Sequence, residues 1–147
     1  MSKTQFNIRV YGLLINQNKE VLVTDEYRLN RYMTKFPGGG LEYGEGTIDC
    51  LKREFQEELN LDIEVSHHFY TTDYFQPTIS FENMQLISIY YVVKTISPDK
   101  IKTTDKTFDI PAIDGAQSFR WIALDKIDPD DFTFPIDKKV ASILAGN

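Results

Sequence analysis

Between Thr47 and Leu59 the apolar residues Ile48, Leu51, Phe55 and Leu59 recur at spacings of three and four, which predicts a helix with one apolar side. Glu54, Glu57 and Glu58 stand at i, i+3 and i+4 on that helix, so their carboxylates converge on one face. Like charges at those spacings repel by roughly a few tenths of a kcal/mol per pair even when exposed. A sequence shaped only by helix stability would interleave lysines there. The acids also border the apolar stripe, at the edge of a core, where lost hydration sharpens their repulsion unless a cation joins them. With no usable His or Cys beside them they form a set of hard oxygen donors, suited to Mg2+ or Mn2+ and not to zinc.

Three consecutive glycines, Gly38, Gly39 and Gly40, precede the helix. Lacking side chains, they let the backbone approach a metal or a phosphate closely. The whole stretch reads Gly39, five residues, Glu45, seven residues, then Arg53-Glu54-Phe55-Gln56-Glu57-Glu58-Leu59-Asn60-Leu61. It resembles the Nudix box, G-x5-E-x7-R-E-U-x-E-E-x-G-U, where U is apolar, and the lead-in Phe36-Pro37-Gly38-Gly39-Gly40 is similar to the family's as well. One fixed position departs: Asn60 stands where the family has glycine. That glycine supplies a left-handed cap at the helix end, and asparagine is the next-best residue for it.

The resemblance implies an α/β fold, a Nudix-type α/β/α sandwich around a mixed β-sheet, and metal-dependent hydrolysis of a diphosphate link with Mg2+ or Mn2+. It implies that Glu57, Glu58 and the carbonyl of Gly38 ligate metal, while Glu54 ligates it or orients the attacking water. Glu45 takes an orienting or secondary metal role. Arg53 is read as structural: Asp49 lies one turn before it and Glu57 one turn after, so it can hold Glu57 in place. In this family a further base or ligand often comes from a later loop. Asp105, Asp109, Asp114 and Glu82 are the candidates, and Asp114 is chosen because it lies just before the strand containing Trp121.

The rest of the chain alternates strand-like and helical patterns, as a mixed α/β sandwich requires. Strands are expected over Phe6–Ile15, Val21–Val23, Ile63 to about Tyr74, Gln85–Ile96 and Ser118–Leu124. Leu86 to Val93 is apolar at nearly every position, as in a strand buried on both faces. Asp25–Lys35 is expected to be a charged, aromatic loop, and Ser97–Ala116 a long polar one. A closing helix over Ile136–Leu144 is entered through Pro135. No repeat or Ser/Gly-rich linker divides the 147 residues, which predicts a single Nudix hydrolase domain over 1–147.

A net charge of −6 argues against a nucleic-acid partner, which needs a basic surface to displace counterions. A small anionic substrate is compatible with it when cations stand between the two sets of negative charge. One cysteine, Cys50, excludes an intrachain disulfide, and no apolar run reaches membrane-spanning length. A soluble, cytoplasmic protein is therefore expected, with no membrane partner; homodimers are common in the family it resembles.

Arg28, Arg31, Lys35, Gly39 and Gly40 are the candidate substrate contacts, with Tyr27, Tyr32, Tyr74 and Phe81 as rings able to stack on a base. Pro77 stands sixteen residues beyond the box, near where ADP-ribose-cleaving members tend to carry a proline. His67 and His68, adjacent in a strand, point to opposite faces and share no metal. Cys50 has no histidine partner and is read as a small buried residue. The activity these features imply is cleavage of a nucleoside diphosphate linked to another moiety, ADP-ribose or a nucleotide sugar ahead of others. The alternatives are a house-cleaning nucleoside triphosphate pyrophosphohydrolase and a non-catalytic nucleotide-sensing module. Intact box acids favour an enzyme over the sensor, and isomerase chemistry on an isoprenoid diphosphate lacks its Cys/Glu pair.

Overall fold

A computed structural model describes residues 5–78 and 83–146. Phe81 and Glu82 lie outside the described residues. Among the described residues seven strands and two α-helices follow in the order β1 (Gln5–Leu14), β2 (Glu20–Arg28), β3 (Arg31–Lys35), β4 (Gly38–Gly40), α1 (Thr47–Leu59), β5 (Glu64–Thr71), β6 (Met84–Lys94), β7 (Gln117–Ala123) and α2 (Pro135–Leu144). They form a four-stranded mixed sheet, β4-β1-β6-β5, and a three-stranded sheet, β3-β2-β7. Strand β1 runs parallel to β6 from Gln5↔Met84 to Leu14↔Val93 and antiparallel to β4. The strands of the second sheet are all antiparallel.

Alternation along the strands builds two cores. Val10 and Leu14 of β1 and Leu22 of β2 face α1, where they pack with Leu51, Phe55 and Phe119. Tyr11, Leu13, Val21 and Val23 face the other way and pack with Tyr90, Phe132, Ile136 and Val140 below α2. Helix, sheets and helix thus make the expected α/β/α layering. Among the described residues no helix is long and apolar enough to cross a membrane.

Two local expectations change. The Asp25–Lys35 segment is the β2–β3 hairpin and not a loop, turning at Leu29 and Asn30, whose φ values of +53° and +61° suit a two-residue turn. Its acids hid the strand pattern because they are buried in pairs. Asp25 is fully buried and accepts Arg120 Nε at 2.7 Å, Thr34 Oγ1 at 2.7 Å and the Phe108 N–H at 3.1 Å. Ile48, placed in the apolar stripe of α1, is 44% exposed, while Cys50 is buried as expected. Strand β6 is half-buried along much of its length, with Ser88, Tyr90 and Val93 as its buried positions.

Helix α1 ends at Asn60 with φ 49° and ψ 44°, the left-handed cap that the family's glycine would provide. Its N–H reaches Gln56 O at 3.0 Å. Because asparagine still carries a Cβ in that region, Asn60→Gly is expected to stabilise the protein by up to about 1 kcal/mol. Urea unfolding measures this; a loss of stability would contradict the cap assignment.

Candidate active site

The glycine triplet is a strand, β4, laid against β1 in the register Arg9↔Gly40, Val10↔Gly39 and Tyr11↔Gly38. Two of its glycines are there for space. A Cβ on Gly38, at φ +151°, would stand 2.1 Å from Val10 O, and one on Gly39 would stand 2.5 Å from the Glu54 carboxylate. The bare backbone at Gly39 is what lets the acid face of α1 close on the sheet.

Arg53 organises that face. Its Nε and Nη2 donate to the Glu45 carboxylate at 3.0 and 2.7 Å, and Nη2 also reaches Gly40 O at 3.2 Å. Nη1 donates to Glu54 Oε1 at 3.0 Å and Glu57 Oε1 at 3.2 Å. Hydrogen bonding from Arg53, aided by the Glu42 backbone, holds the Glu45 carboxyl down at about 2, so this clamp persists across ordinary pH. Arg53 therefore positions Glu54 as well as Glu57. Its carboxylate partners are these and Glu42, and the expected bond to Asp49 is replaced by Glu45, which the turn before α1 brings within reach.

Glu58 is different. Its Oε2 is buried and, among the described residues, without a hydrogen-bond partner. Burial raises its carboxyl to about 7; Glu26 and Glu54 push the same way, and Lys35 and the side chain of Gln117 oppose them. Glu26, on β2, is itself 6% exposed and pairs with Lys35 Nζ at 3.5 Å. Gln117 Nε2 donates to Glu26 Oε2 at 3.3 Å and to Thr24 Oγ1 at 3.0 Å.

Among the described residues no three Asp, Glu, His or Cys side chains stand close enough to hold a metal as they are. The reason is visible: Arg53 engages Glu54 and Glu57, while Glu58 turns inward. An orphaned, buried carboxylate oxygen with two further carboxylates acting on it is nonetheless a donor set that suits a hard divalent cation.

Beyond Lys35 opens a cleft of about 200 Å³ on the α2 side of the mixed sheet. Arg9, Arg28, Lys35, Pro77, Tyr90 and Asp137 are among its lining residues. Arg31 is not itself in that lining, but its guanidinium stands over the ring of Phe134, which is, at 5.3 Å. The stacking candidates Tyr27 and Tyr32 pack on each other, with Phe108 against Tyr32, and do not line the cleft. Asp114 is not brought to the box acids. Its Oδ1 accepts the Leu29 N–H at 3.4 Å at the hairpin tip, and Glu26 is the additional carboxylate beside Glu58. Asp109 is taken by Thr104 Oγ1 at 2.7 Å. His67 and His68 are both exposed, on the edge strand β5.

Sequence reasoning missed Arg9, Glu26 and Asp137. Glu26 carried no periodic signal, since the apolar run Val21-Leu22-Val23 gives way to the polar run Thr24-Asp25-Glu26; Asp137 lies in the first turn of α2, where an acid is ordinary. It is 3% exposed and accepts Tyr90 OH at 2.6 Å. Burial pushes its carboxyl up to about 6, against the pull of Tyr90, Lys35 and Arg9. A folded-state value above the ordinary 3.8 means that the native state keeps its proton longer, so stability falls as pH rises from about 4 to about 6 and is level above. Asp137→Asn is expected to remove that fall and to raise stability at pH 8 by about 1–3 kcal/mol, read by urea unfolding at pH 4 to 8. An unchanged profile would contradict the assignment.

The chain belongs to the Nudix hydrolases: residues 5–142 match the family described as NUDIX domain. Members of this family generally use a divalent metal and act on small nucleotide-type substrates. No curated protein matches the chain by sequence. Among solved structures it is similar to the MutT protein from Methanosarcina mazei Go1, with a TM-score of 0.70 and 16% identity over 99% of this chain and 97% of that one. The E. coli ORF135 protein gives 0.69 and 15%, covering 97% and 91%. An ADP-ribose pyrophosphatase from Streptococcus suis 89-1591 gives 0.59 and 14%, covering 95% and 87%. At such identities the likeness is one of fold.

Proposed function

We propose that this chain is a pyrophosphohydrolase, dependent on Mg2+ or Mn2+, that cleaves a nucleoside diphosphate linked to another moiety, with ADP-ribose or a nucleotide sugar as the leading substrates. The observation that carries the reading is the buried, unpartnered Oε2 of Glu58, on which Glu26 and Glu54 both act. Glu57, Glu58, Glu54 and the carbonyl of Gly38 would hold the ion. When bound, it neutralises the diphosphate, lowers the pKa of a water and stabilises charge on the leaving phosphate.

The chain's own residues divide the remaining work. Arg53, itself fixed by Glu45, holds the carboxylates of Glu54 and Glu57 at the end of α1 facing the substrate. Glu54 orients the attacking water and receives its proton. Lys35 and Arg28, at the cleft, contact phosphates as the substrate's organic end enters between α2 and the sheet. Pro77 in the same lining supports an ADP-ribose-like substrate.

The test is a phosphate-release screen over ADP-ribose, nucleotide sugars, dinucleoside polyphosphates and nucleoside triphosphates, with Mg2+ and with chelator. Metal-dependent turnover of ADP-ribose or a nucleotide sugar is the expected result. Preference for nucleoside triphosphates would overturn the substrate assignment, and inactivity throughout would overturn the enzyme.

A further inference from the structure

Arg9 stands on β1 between Gly40 of β4 and Ser88 of β6, at the boundary between the cleft and the acid helix. Its Nε donates to Tyr11 OH at 2.6 Å, which fixes the direction of the guanidinium. A Cβ on Gly40 would lie 3.7 Å from Nη1, so that end of the fork rests against the glycine strand. Glu54 and Glu26 act electrostatically on Arg9, and Arg9 acts on Asp137. Yet among the described residues no carboxylate lies within ion-pairing distance of it, in contrast to Arg53 and Arg120.

A half-buried guanidinium has five donors, and here Tyr11 accounts for one. The rigid fork that remains matches two oxygens of a phosphate, which a lysine ammonium cannot engage in the same way. Lys35, the second cation at this boundary, sits 5.9 Å from the Tyr11 ring and pairs with Glu26. The cleft, at about 200 Å³, is below the roughly 300–1,000 Å³ of sites that enclose whole drug-sized ligands, so it takes one ring with its nearest attachments. Any longer substituent on that ring must pass Arg9 and Lys35 on its way to the acids of α1.

We propose that Arg9 is a substrate-binding residue that grips the phosphate directly attached to the group seated in the cleft, leaving the next phosphate for the acid helix. The inference rests on the hydrolase reading above and adds to it a metal-independent phosphate subsite. Substrates must then carry a phosphate at the first position beyond the ring-bearing group. Nucleoside monophosphate, the part of the substrate that this subsite holds, binds without metal.

The test compares adenosine, guanosine, cytidine and uridine with their 5′-monophosphates by calorimetry in chelator. Wild type is expected to favour at least one monophosphate over its nucleoside by roughly tenfold or more. Arg9→Ala should abolish that preference while leaving nucleoside affinity in place, and Arg9→Lys should restore part of it. In turnover, Arg9→Ala should raise KM by more than it lowers kcat. A folded Arg9→Ala or Arg9→Lys that keeps the full preference overturns the proposal, as does a wild type that hydrolyses an anhydride but binds monophosphate no better than nucleoside. A wild type without hydrolase activity whose monophosphate preference is lost in Arg9→Ala sinks the hydrolase reading and keeps the subsite. Absence of both nucleotide binding and hydrolase activity overturns both.

Discussion

Replacing Glu58 by Gln is expected to lower kcat/KM by roughly 10²–10³-fold and, in the same protein, to raise metal-free stability. The two effects share one cause. Burial lifts the Glu58 carboxyl to about 7, with repulsion from Glu26 and Glu54 adding to it. A folded-state value above the ordinary 4.5 makes stability fall as pH rises from about 4.5 to about 7, after which it is level. Above pH 7 the native protein therefore carries a charge that it holds less well than the unfolded chain does. Glutamine removes that charge at nearly constant shape, and the gain is about 1–3 kcal/mol in chelator. On the proposed reading a divalent ion would supply the missing partner in wild type, adding about 2.7 kcal/mol at a hundred times its Kd. Glu58→Gln should lose most of that response.

Glu57 serves as the internal control. It is largely exposed and hydrogen-bonded to Arg53, so Glu57→Gln should cost activity without the stability gain. Urea unfolding at pH 5 to 8, with chelator and with Mg2+, separates the cases. Wild-type turnover in Glu58→Gln, or a loss of stability on its introduction, would remove Glu58 from the site.

That asymmetry between neighbouring glutamates was not legible in the sequence, although their place on one helix was. Spacing at i, i+3 and i+4 is a property of the helix alone, so the expectation that Glu54, Glu57 and Glu58 share one face needed only local geometry. Which of them turns inward depends on β2 and β7, whose Glu26 and Gln117 come from distant parts of the chain. The Asp25–Lys35 hairpin escaped for a related reason. Charged residues read as loop until their partners are known, and the partner of Asp25 is Arg120, 95 residues away. Asp114 was reasonable by position in the chain, but its loop is tied to the hairpin tip by Gly115 N–H to Tyr27 O at 2.9 Å, which keeps it with Leu29. The cap at Asn60, by contrast, was legible because it needs only one residue's tolerance of left-handed backbone.

Gly38→Ala and Gly39→Ala, adjacent and chemically identical changes, are expected to fail in different ways. At Gly38 the added methyl meets Val10 O at 2.1 Å and the Tyr11 Cα at 2.7 Å, backbone atoms of the strand that β4 pairs with. The φ of +151° is also one that an L-residue rarely adopts. Neither conflict can be relieved by a side-chain rotation, so the pairing of β4 with β1 must open, at a cost of about 3 kcal/mol or more. At Gly39 the methyl meets the Glu54 carboxylate at 2.5 Å, the far end of a side chain that can swing away. The fold then survives, but Glu54 leaves the place where Arg53 Nη1 holds it, 3.0 Å from Oε1. Gly39→Ala should thus keep stability within about 1 kcal/mol of wild type while losing roughly 10–100-fold in kcat, with KM less affected. Thermal unfolding and steady-state kinetics on the two variants decide the matter: a stable Gly38→Ala, or a fully active Gly39→Ala, would mean that the glycine strand and the acid helix do not meet in this way.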